Sequence, residues 1–229
     1  MKRSYIVLLV IIFCFVSCLS LNKLCYQVDS ALSKRIESRY TIVIDPGHGG
    51  RDNGTSARDN TREKDINLAI SKILYDYMMV CGINCVMTRN ADCQVYDTND
   101  DRNRSDLYNR LDFVNSIDNS LLISIHQNHF DDSTQWGMQI WYSANNVESQ
   151  MIADSIIDIN QRLLNNTNQR QNKVSDNSYY ILYNAKVPSI MIECGFMSNY
   201  EENEKLKNTY YQNDIAFAIM IGYNEFLGC

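Results

Sequence analysis

Two of the three histidines in the chain occupy positions where an imidazole could bind a metal ion. His48 lies in the glycine-rich sequence DPGHGG, directly after an apolar segment, and His126 is the last residue of the apolar segment LLISIH. Zinc sites take nitrogen or oxygen ligands from rigid elements, and catalytic ones leave one position for water. A single histidine at the end of an apolar strand is usually a hydrogen-bonded core residue, so the metal hypothesis depends on the two histidines together.

Two glutamates are candidates for the remaining roles in such a site. Glu63 begins the amphipathic segment EKDINLAI, from which its carboxylate could return to the sheet edge that carries His48 as a third ligand. An acidic residue in the first turn of a helix is also favoured by the helix dipole without any metal. Glu193 ends the apolar segment PSIMIE, where desolvation raises the pKa of a carboxyl group and suits a general base. The alternative for Glu193 is a hydrogen bond to the backbone of the turn at Gly195.

Short apolar segments alternate along the chain with longer amphipathic segments. The pattern predicts six strands, at 41–45, 83–88, 121–126, 137–142, 179–183 and 189–193, and four helices, at about 65–80, 104–118, 147–164 and 209–227. Strands that alternate with helices indicate an α/β fold, so we expect a single domain with a mostly parallel six-stranded sheet flanked by helices on both faces. In such folds the carboxyl ends of the strands carry the functional residues, which are His48, His126 and Glu193 here.

The composition indicates an ordinary globular protein. The chain has 229 residues, of which 45% are hydrophobic and 21% charged, and this length suits one domain with a substantial core. The net charge of -6 argues against a polyanionic partner, so we expect no binding to nucleic acid. We divide the chain into an export segment at 1–21, a polar linker at 22–39 and a catalytic domain at 40–229.

The N-terminus has the pattern of an export signal. Lys2 and Arg3 precede an uncharged, apolar run from Tyr5 to Leu21, and a basic segment before such a run is typical of exported proteins. The length of the run fits either a cleaved signal peptide or a membrane anchor. In both cases we expect the domain to lie outside the membrane, secreted or anchored. Lipid modification of Cys18 is a third alternative, although the residues before it make a poor lipobox.

The cysteines do not form a metal-binding pattern. Cys81 and Cys85 flank a short turn-like segment and could form a disulfide. Free buried cysteines that pack as small hydrophobic residues are the alternative that we favour.

Several segments in order resemble the zinc-dependent N-acetylmuramoyl-L-alanine amidases of the amidase type 3 family. These segments are IDPGHGG, EKDINLAI, TR, ISIHQN and PSIMIECGFMSN, and the resemblance covers about residues 40–228. It implies that His48, Glu63 and His126 bind one Zn²⁺ per chain and that Glu193 is the catalytic acid and base. It also implies that the substrate is peptidoglycan and that the bond cut joins the lactyl group of N-acetylmuramic acid to L-alanine of the stem peptide.

Other positions near these motifs have less defined roles. We interpret Arg110 as structural and His129 as a surface residue, and Asn128 as either a substrate-binding or a turn-forming residue. Gln127 and Cys194 depart from the family pattern, where small or apolar residues are more common. We expect neither of them to contact a proposed metal ligand.

The spacing of the motifs implies a particular subfamily. The segment between His126 and Glu193 leaves little room for the inhibitory helix that cell-division relatives insert there. The chain therefore resembles the sporulation and germination subfamily, which removes stem peptides so that cortex muramic-δ-lactam can form. That resemblance implies an accessory lipoprotein as regulator and a location in the spore intermembrane space. Two alternatives are a pseudoenzyme that binds peptidoglycan without cutting it and a zinc peptidase that cuts within the stem peptide.

Overall fold

The computed structural model describes residues 39–95, 106–164 and 167–228, together with the single residues 17 and 23. The chain divides into two units, residues 1–37 and 38–229, and the sheet lies in the second. The predicted export segment and most of the linker at 22–39 lie outside the described residues. Within the described ranges, no helix is long and apolar enough to cross a membrane.

Six strands form one sheet, and four of them are parallel. The order across the sheet is β2-β1-β3-β6-β4-β5. Strands β2, β1, β3 and β6 are parallel, whereas β4 is antiparallel to β6 and β5 is parallel to β4. The bounds are β1 Thr41–Pro46, β2 Cys85–Met87, β3 Ser120–Asn128, β4 Gln139–Tyr142, β5 Lys173–Val174 and β6 Ser189–Phe196.

Six helices in the described part of the second unit cover the two faces of the sheet. They are α1 Glu63–Val80, α2 Asp106–Asn115, α3 Val147–Leu163, α4 Tyr180–Asn184, α5 Tyr200–Leu206 and α6 Thr209–Phe226. Helix α1 packs on β1 and β3, and α6 packs on both α1 and α3. Val43 and Leu122 pack with apolar residues of α2 and α4 in a separate cluster. Successive strand residues point to opposite faces of the sheet. Ile42 and Ile44, on either side of Val43 in β1, are fully buried as well, so helices cover both faces. The predicted α/β domain with helices on both faces is therefore confirmed.

The prediction of a strand at 179–183 is wrong. This segment forms the short helix α4, in which Ile181 and Leu182 are buried beside α2. A short apolar run is compatible with either a strand or a buried helix, and periodicity cannot separate the two. The sixth strand is instead Lys173–Val174, which has only two residues, both exposed, and is too short to give a hydrophobic pattern. Helix α5, which the sequence pattern did not predict, begins after Asn199, whose side chain accepts hydrogen bonds from two backbone amides of the first turn.

The cysteines of the described residues are free. Cys85 is buried and its thiol donates to the carbonyl of Tyr75, and Cys81 forms no disulfide with it. Cys85 therefore packs as a small buried side chain, as the favoured alternative predicts, whereas Cys81 is only partly buried.

Candidate functional site

The proposed site residues meet at the carboxyl edge of the parallel strands. His126 lies directly beside Glu193 in the pairing of β3 with β6, just before a register shift in that ladder. His48 follows the end of β1 by two residues, and Glu63 is the first residue of α1. His48, Glu63 and His126 each offer one ligand atom, and these three atoms lie within 4.8 Å of one another. The fold thus brings together three side chains that are far apart in the sequence.

The carboxylate of Glu63 lies between the two imidazoles. Its Oε1 is 2.9 Å from Nδ1 of His126, and its Oε2 is 3.3 Å from Nε2 of His48. Backbone amides hold this carboxylate in place, since Thr55 donates to Oε2 at 2.8 Å and Gln127 donates to Oε1 at 3.1 Å. The expectation that Gln127 contacts no proposed ligand is therefore wrong, because its backbone rather than its side chain makes the contact.

Asp52 orients the imidazole of His48. Its Oδ2 is 2.7 Å from Nδ1 of His48, and its Oδ1 accepts a hydrogen bond from the amide of Gly54 at 2.9 Å. A proton on Nδ1 that is donated to a carboxylate leaves Nε2 with a free lone pair, which here faces Glu63. The sequence reasoning missed Asp52. The available signal was a carboxylate four residues after a candidate ligand in the same loop.

Two glycines allow the ligand loop to approach the imidazoles closely. A Cβ atom on Gly47 would lie 2.2 Å from Nε2 of His126. A Cβ atom on Gly54 would lie 2.5 Å from Oε2 of Glu63, and Gly54 also has a φ of +65°, which disfavours any other residue. His48 itself has a φ of 61°, an uncommon conformation that costs free energy and is typical of functional sites.

Two buried arginines bind the backbone of this loop. Arg89 donates to the carbonyls of Pro46 and Gly47, each at 2.9 Å, and Arg110 donates to the carbonyls of Pro46 and His48. Arg110 also forms a buried ion pair with Asp45. Burial alone would raise the pKa of Asp45, but the Arg110 guanidinium and two hydroxyl donors lower it to about 2. These contacts agree with the structural role predicted for Arg110.

The charges at the three-residue cluster favour a bound cation. Burial would lower the pKa of His48, but Glu63 and Asp52 raise it to about 9, so the site stabilises positive charge on the imidazole. The side chain of Glu63 is only 4% exposed, whereas those of His48 and His126 retain 25% and 17%, which leaves the imidazoles accessible from solvent. Two imidazoles and one carboxylate form a donor set that can hold a divalent metal ion and that suits zinc.

Glu193 is a carboxyl group with an unusual environment. Desolvation raises its pKa to about 7, with smaller opposing effects from His126 and reinforcing ones from Glu63. Among the described residues, no hydrogen-bond partner reaches its buried Oε2 atom. The alternative of a backbone hydrogen bond in the Gly195 turn therefore does not account for Oε2. A desolvated carboxyl with a pKa near neutrality can both accept and donate a proton.

A cavity of about 400 Å³ opens beside Glu193. Its walls include Asn128, Trp141 and Tyr179, and the two aromatic rings are stacked with their centroids 4.5 Å apart. The Oδ1 of Asn128 accepts a hydrogen bond from the amide of His129, so Asn128 both shapes the local turn and lines the cavity. His129 is exposed.

Comparisons with known proteins agree with this geometry. Residues 42–224 match the family model described as N-acetylmuramoyl-L-alanine amidase. The germination-specific N-acetylmuramoyl-L-alanine amidase of Bacillus subtilis (strain 168) is 31% identical over 185 residues, which cover 79% of this chain and 77% of that protein. The CwlD amidase of Clostridioides difficile, solved in complex with the GerS lipoprotein, is 34% identical with a TM-score of 0.77, covering 82% of this chain and 98% of that one. An N-acetylmuramoyl-L-alanine amidase from Clostridium difficile 630 is 31% identical with a TM-score of 0.70, covering 82% and 97%.

Proposed function

The chain belongs to the N-acetylmuramoyl-L-alanine amidase family, and we propose that His48, Glu63 and His126 hold one zinc ion while Glu193 transfers the protons of the reaction. The enzyme hydrolyses the amide bond between the lactyl group of N-acetylmuramic acid and L-alanine of the stem peptide. The observation that supports the assignment of residues is the Glu63 carboxylate between two imidazoles. On the strand beside His126, the Oε2 atom of Glu193 has no hydrogen-bond partner among the described residues.

In the proposed mechanism, water and the substrate are activated at the metal, and the protein side chains transfer protons and orient the ligands. When bound, zinc lowers the pKa of water and polarises the scissile carbonyl group. Glu193 accepts the proton of the attacking water on its carboxylate and returns it to the departing nitrogen of L-alanine. A pKa near 7 suits both steps, because the group is readily protonated and deprotonated at neutral pH. Asp52 keeps the His48 imidazole in the orientation and tautomer that a metal requires.

The substrate occupies the cavity beside Glu193. Asn128 lines this cavity, which supports a contact between its amide group and the peptidoglycan stem. The stacked rings of Trp141 and Tyr179 supply a flat apolar wall for the same substrate.

The biological setting follows from the relatives and the N-terminus. Similarity to a germination-specific amidase supports a role in maturation of the spore cortex. Similarity to an amidase that was solved with a lipoprotein supports an accessory lipoprotein as partner of this chain. Lys2, Arg3 and the apolar run that follows them support export, with the enzyme secreted or held by an N-terminal anchor outside the cytoplasmic membrane.

Digestion of purified peptidoglycan by the zinc-loaded chain tests this function. We expect new L-alanine amino ends and bare lactyl groups by mass spectrometry, and we expect none of them with Glu193→Gln. An intact wall that nevertheless retains the protein would indicate a binding pseudoenzyme. New ends within the stem peptide would indicate a peptidase, and either result would refute the proposed amidase.

Metal analysis of the same variants tests the separate roles of the residues. Glu193→Gln should retain zinc because this residue is not a proposed ligand, whereas His126→Ala should lose it. Full zinc occupancy in His126→Ala would remove this residue from the ligand set.

A further inference from the structure

We propose that Arg170 and Lys173 form a carboxylate-binding subsite beside Glu193 and that this subsite recognises a free carboxyl group of the stem peptide. The inference rests on the proposed function, because it concerns the peptide attached to the bond that is cut. The ligand of the two positive charges in the cavity would be this carboxyl group.

The cavity beside Glu193 has a cationic wall. Among the described residues that line it, Arg170 and Lys173 are the two basic side chains and Glu193 is the one acidic side chain. Lys173 is the first residue of β5, and its Nζ lies 5.2 Å from the centroid of the Trp141 ring, with which it also pairs in register. A site of this size is within the range of small-ligand pockets.

Contacts within the protein hold the Arg170 guanidinium in one orientation. Its Nε donates to the carbonyl of Trp136 and its Nη2 donates to Oε1 of Gln135, both at 2.7 Å. The guanidinium carbon lies 4.3 Å from the centroid of the Phe196 ring, a favourable cation–π arrangement. Neutral oxygens take Nε and Nη2, and among the described residues no hydrogen bond uses the Nη1 donors, which leaves them for a ligand.

Within the part of the chain that the structure describes, Glu202 is the carboxylate whose charge acts on Arg170, and it does so without a direct ion pair. Neither Arg170 nor Lys173 forms an ion pair there, and Glu202, whose charge acts on Arg170, uses its Oε2 to accept from the amides of Gly137 and Phe196. Burial lowers the pKa of Arg170, which means that its charged form has lost solvation. A bound carboxylate would restore part of that lost stabilisation through a charge-assisted hydrogen bond.

Peptidoglycan stems supply such a carboxylate close to the scissile bond. The residue after L-alanine is an acidic residue joined through its side chain, so its α-carboxyl group is either free or converted to a carboxamide. The cationic wall and Glu193 line the same cavity, so we assign this wall to a carboxyl group one residue from the cleaved amide. The free acid should bind better than the uncharged carboxamide, which has the same size.

Two matched substrates test the subsite directly. They are soluble muropeptides with the same glycan that differ only in a free carboxyl or a carboxamide on the second stem residue. We expect the zinc-loaded full chain to cleave the free acid with kcat/KM about tenfold higher, which is the order expected for one charge-assisted hydrogen bond. Arg170→Gln and Lys173→Gln should each bring the ratio of kcat/KM for the free acid to kcat/KM for the carboxamide close to one, because a neutral ligand gains little from the charge.

Lys186→Gln is the matched control. Lys186 is also exposed, but it precedes β6 at the opposite end of the strand from Glu193, so this variant should keep the full preference for the free acid. Lys173→Gln also guards against misfolding, because Lys173 is exposed and the contact it loses is the one with the Trp141 ring at the cavity wall. Thermal unfolding of each variant checks that the fold is intact.

The outcomes separate this inference from the proposed function. A wild-type enzyme that cleaves both substrates equally would overturn the subsite and leave the amidase standing. Equal losses on both substrates in Arg170→Gln and Lys173→Gln would also overturn it, because a purely structural role predicts that result. A chain that cleaves neither substrate at the lactyl amide would refute the amidase function itself.

Discussion

The hydrogen bond between Asp52 and His48 offers a direct test of the proposed metal site. Asp52→Ala removes the carboxylate that lies 2.7 Å from Nδ1 of His48, while Glu63 and His126 remain in place. The imidazole then loses both its orientation and the charge that favours a proton on Nδ1. We expect weaker zinc binding with little change in fold, because the side chain of Asp52 is 55% exposed and packs no core.

The size of the effect follows from the exposure of this contact. Loss of a hydrogen-bond partner behind a metal-binding histidine lowers metal affinity by about 10- to 100-fold. Water screens the half-exposed carboxylate of Asp52, so the lower end, about tenfold, is expected for Asp52→Ala. Asp52→Asn should lose less, because its amide oxygen still accepts from Nδ1 while the charge is gone.

Competition with a zinc chelator measures the affinity, and amidase activity at saturating zinc gives a second readout. Activity should return towards the wild-type value when zinc is in excess, since Asp52 does not transfer protons in this mechanism. Asp59→Asn, in the same loop but bonded to Thr61 and Lys207 instead of the ligands, is the matched control and should bind zinc normally. Wild-type zinc affinity in Asp52→Ala would refute the role of this contact.

Three further predictions concern the same region. In the metal-free chain, burial raises the folded-state pKa of Glu193 to about 7, so the protonated carboxyl group stabilises the fold at low pH. This contribution to the free energy of unfolding is lost as pH rises from about 4.5 through 7. Urea unfolding should show a loss of up to about 3 kcal/mol in the wild type relative to Glu193→Gln. Gly54→Ala should lose zinc in chelator competition because its Cβ would lie 2.5 Å from Oε2 of Glu63, whereas Gly228→Ala, also at positive φ but with no atom within 4 Å, should bind zinc normally. Arg110→Met should lower the free energy of unfolding by about 3–5 kcal/mol, because it leaves a buried aspartate without its ion-pair partner; a loss below 1 kcal/mol would contradict the assigned contact.

The sequence alone was sufficient to identify the strands that carry the site. The central strands β1, β3 and β6 are nearly continuous apolar runs because helices cover both faces of the sheet, so burial left a clear pattern in the residue types. The start of α1 was also predictable to within two residues, because an acidic first turn precedes an amphipathic repeat. Residues that end such runs could therefore be recognised as candidates for the site.

Tertiary structure decided the contacts that do not follow from local pattern. Whether 179–183 became a strand or a helix depended on packing against α2, because one short apolar run serves both. Asp52 reaches the site through the path of a polar loop, which hydrophobic periodicity does not encode. The Gln127 amide in β3, Arg110 in α2 and Arg89 after β2 reach the ligands or their loop only through the tertiary fold.

The sequence alone thus identified His48, Glu63, His126 and Glu193 as candidates, and their residue types indicated the chemistry that they permit. Their meeting at one point required parallel strands to end at the same sheet edge and a glycine-rich loop to bring Glu63 between the imidazoles. Only the tertiary structure brings Arg170 and Lys173 to the cavity beside Glu193. The two-residue strand β5 is too short to give a sequence pattern, and Arg170 is oriented by backbone and side-chain oxygens that are distant in the sequence.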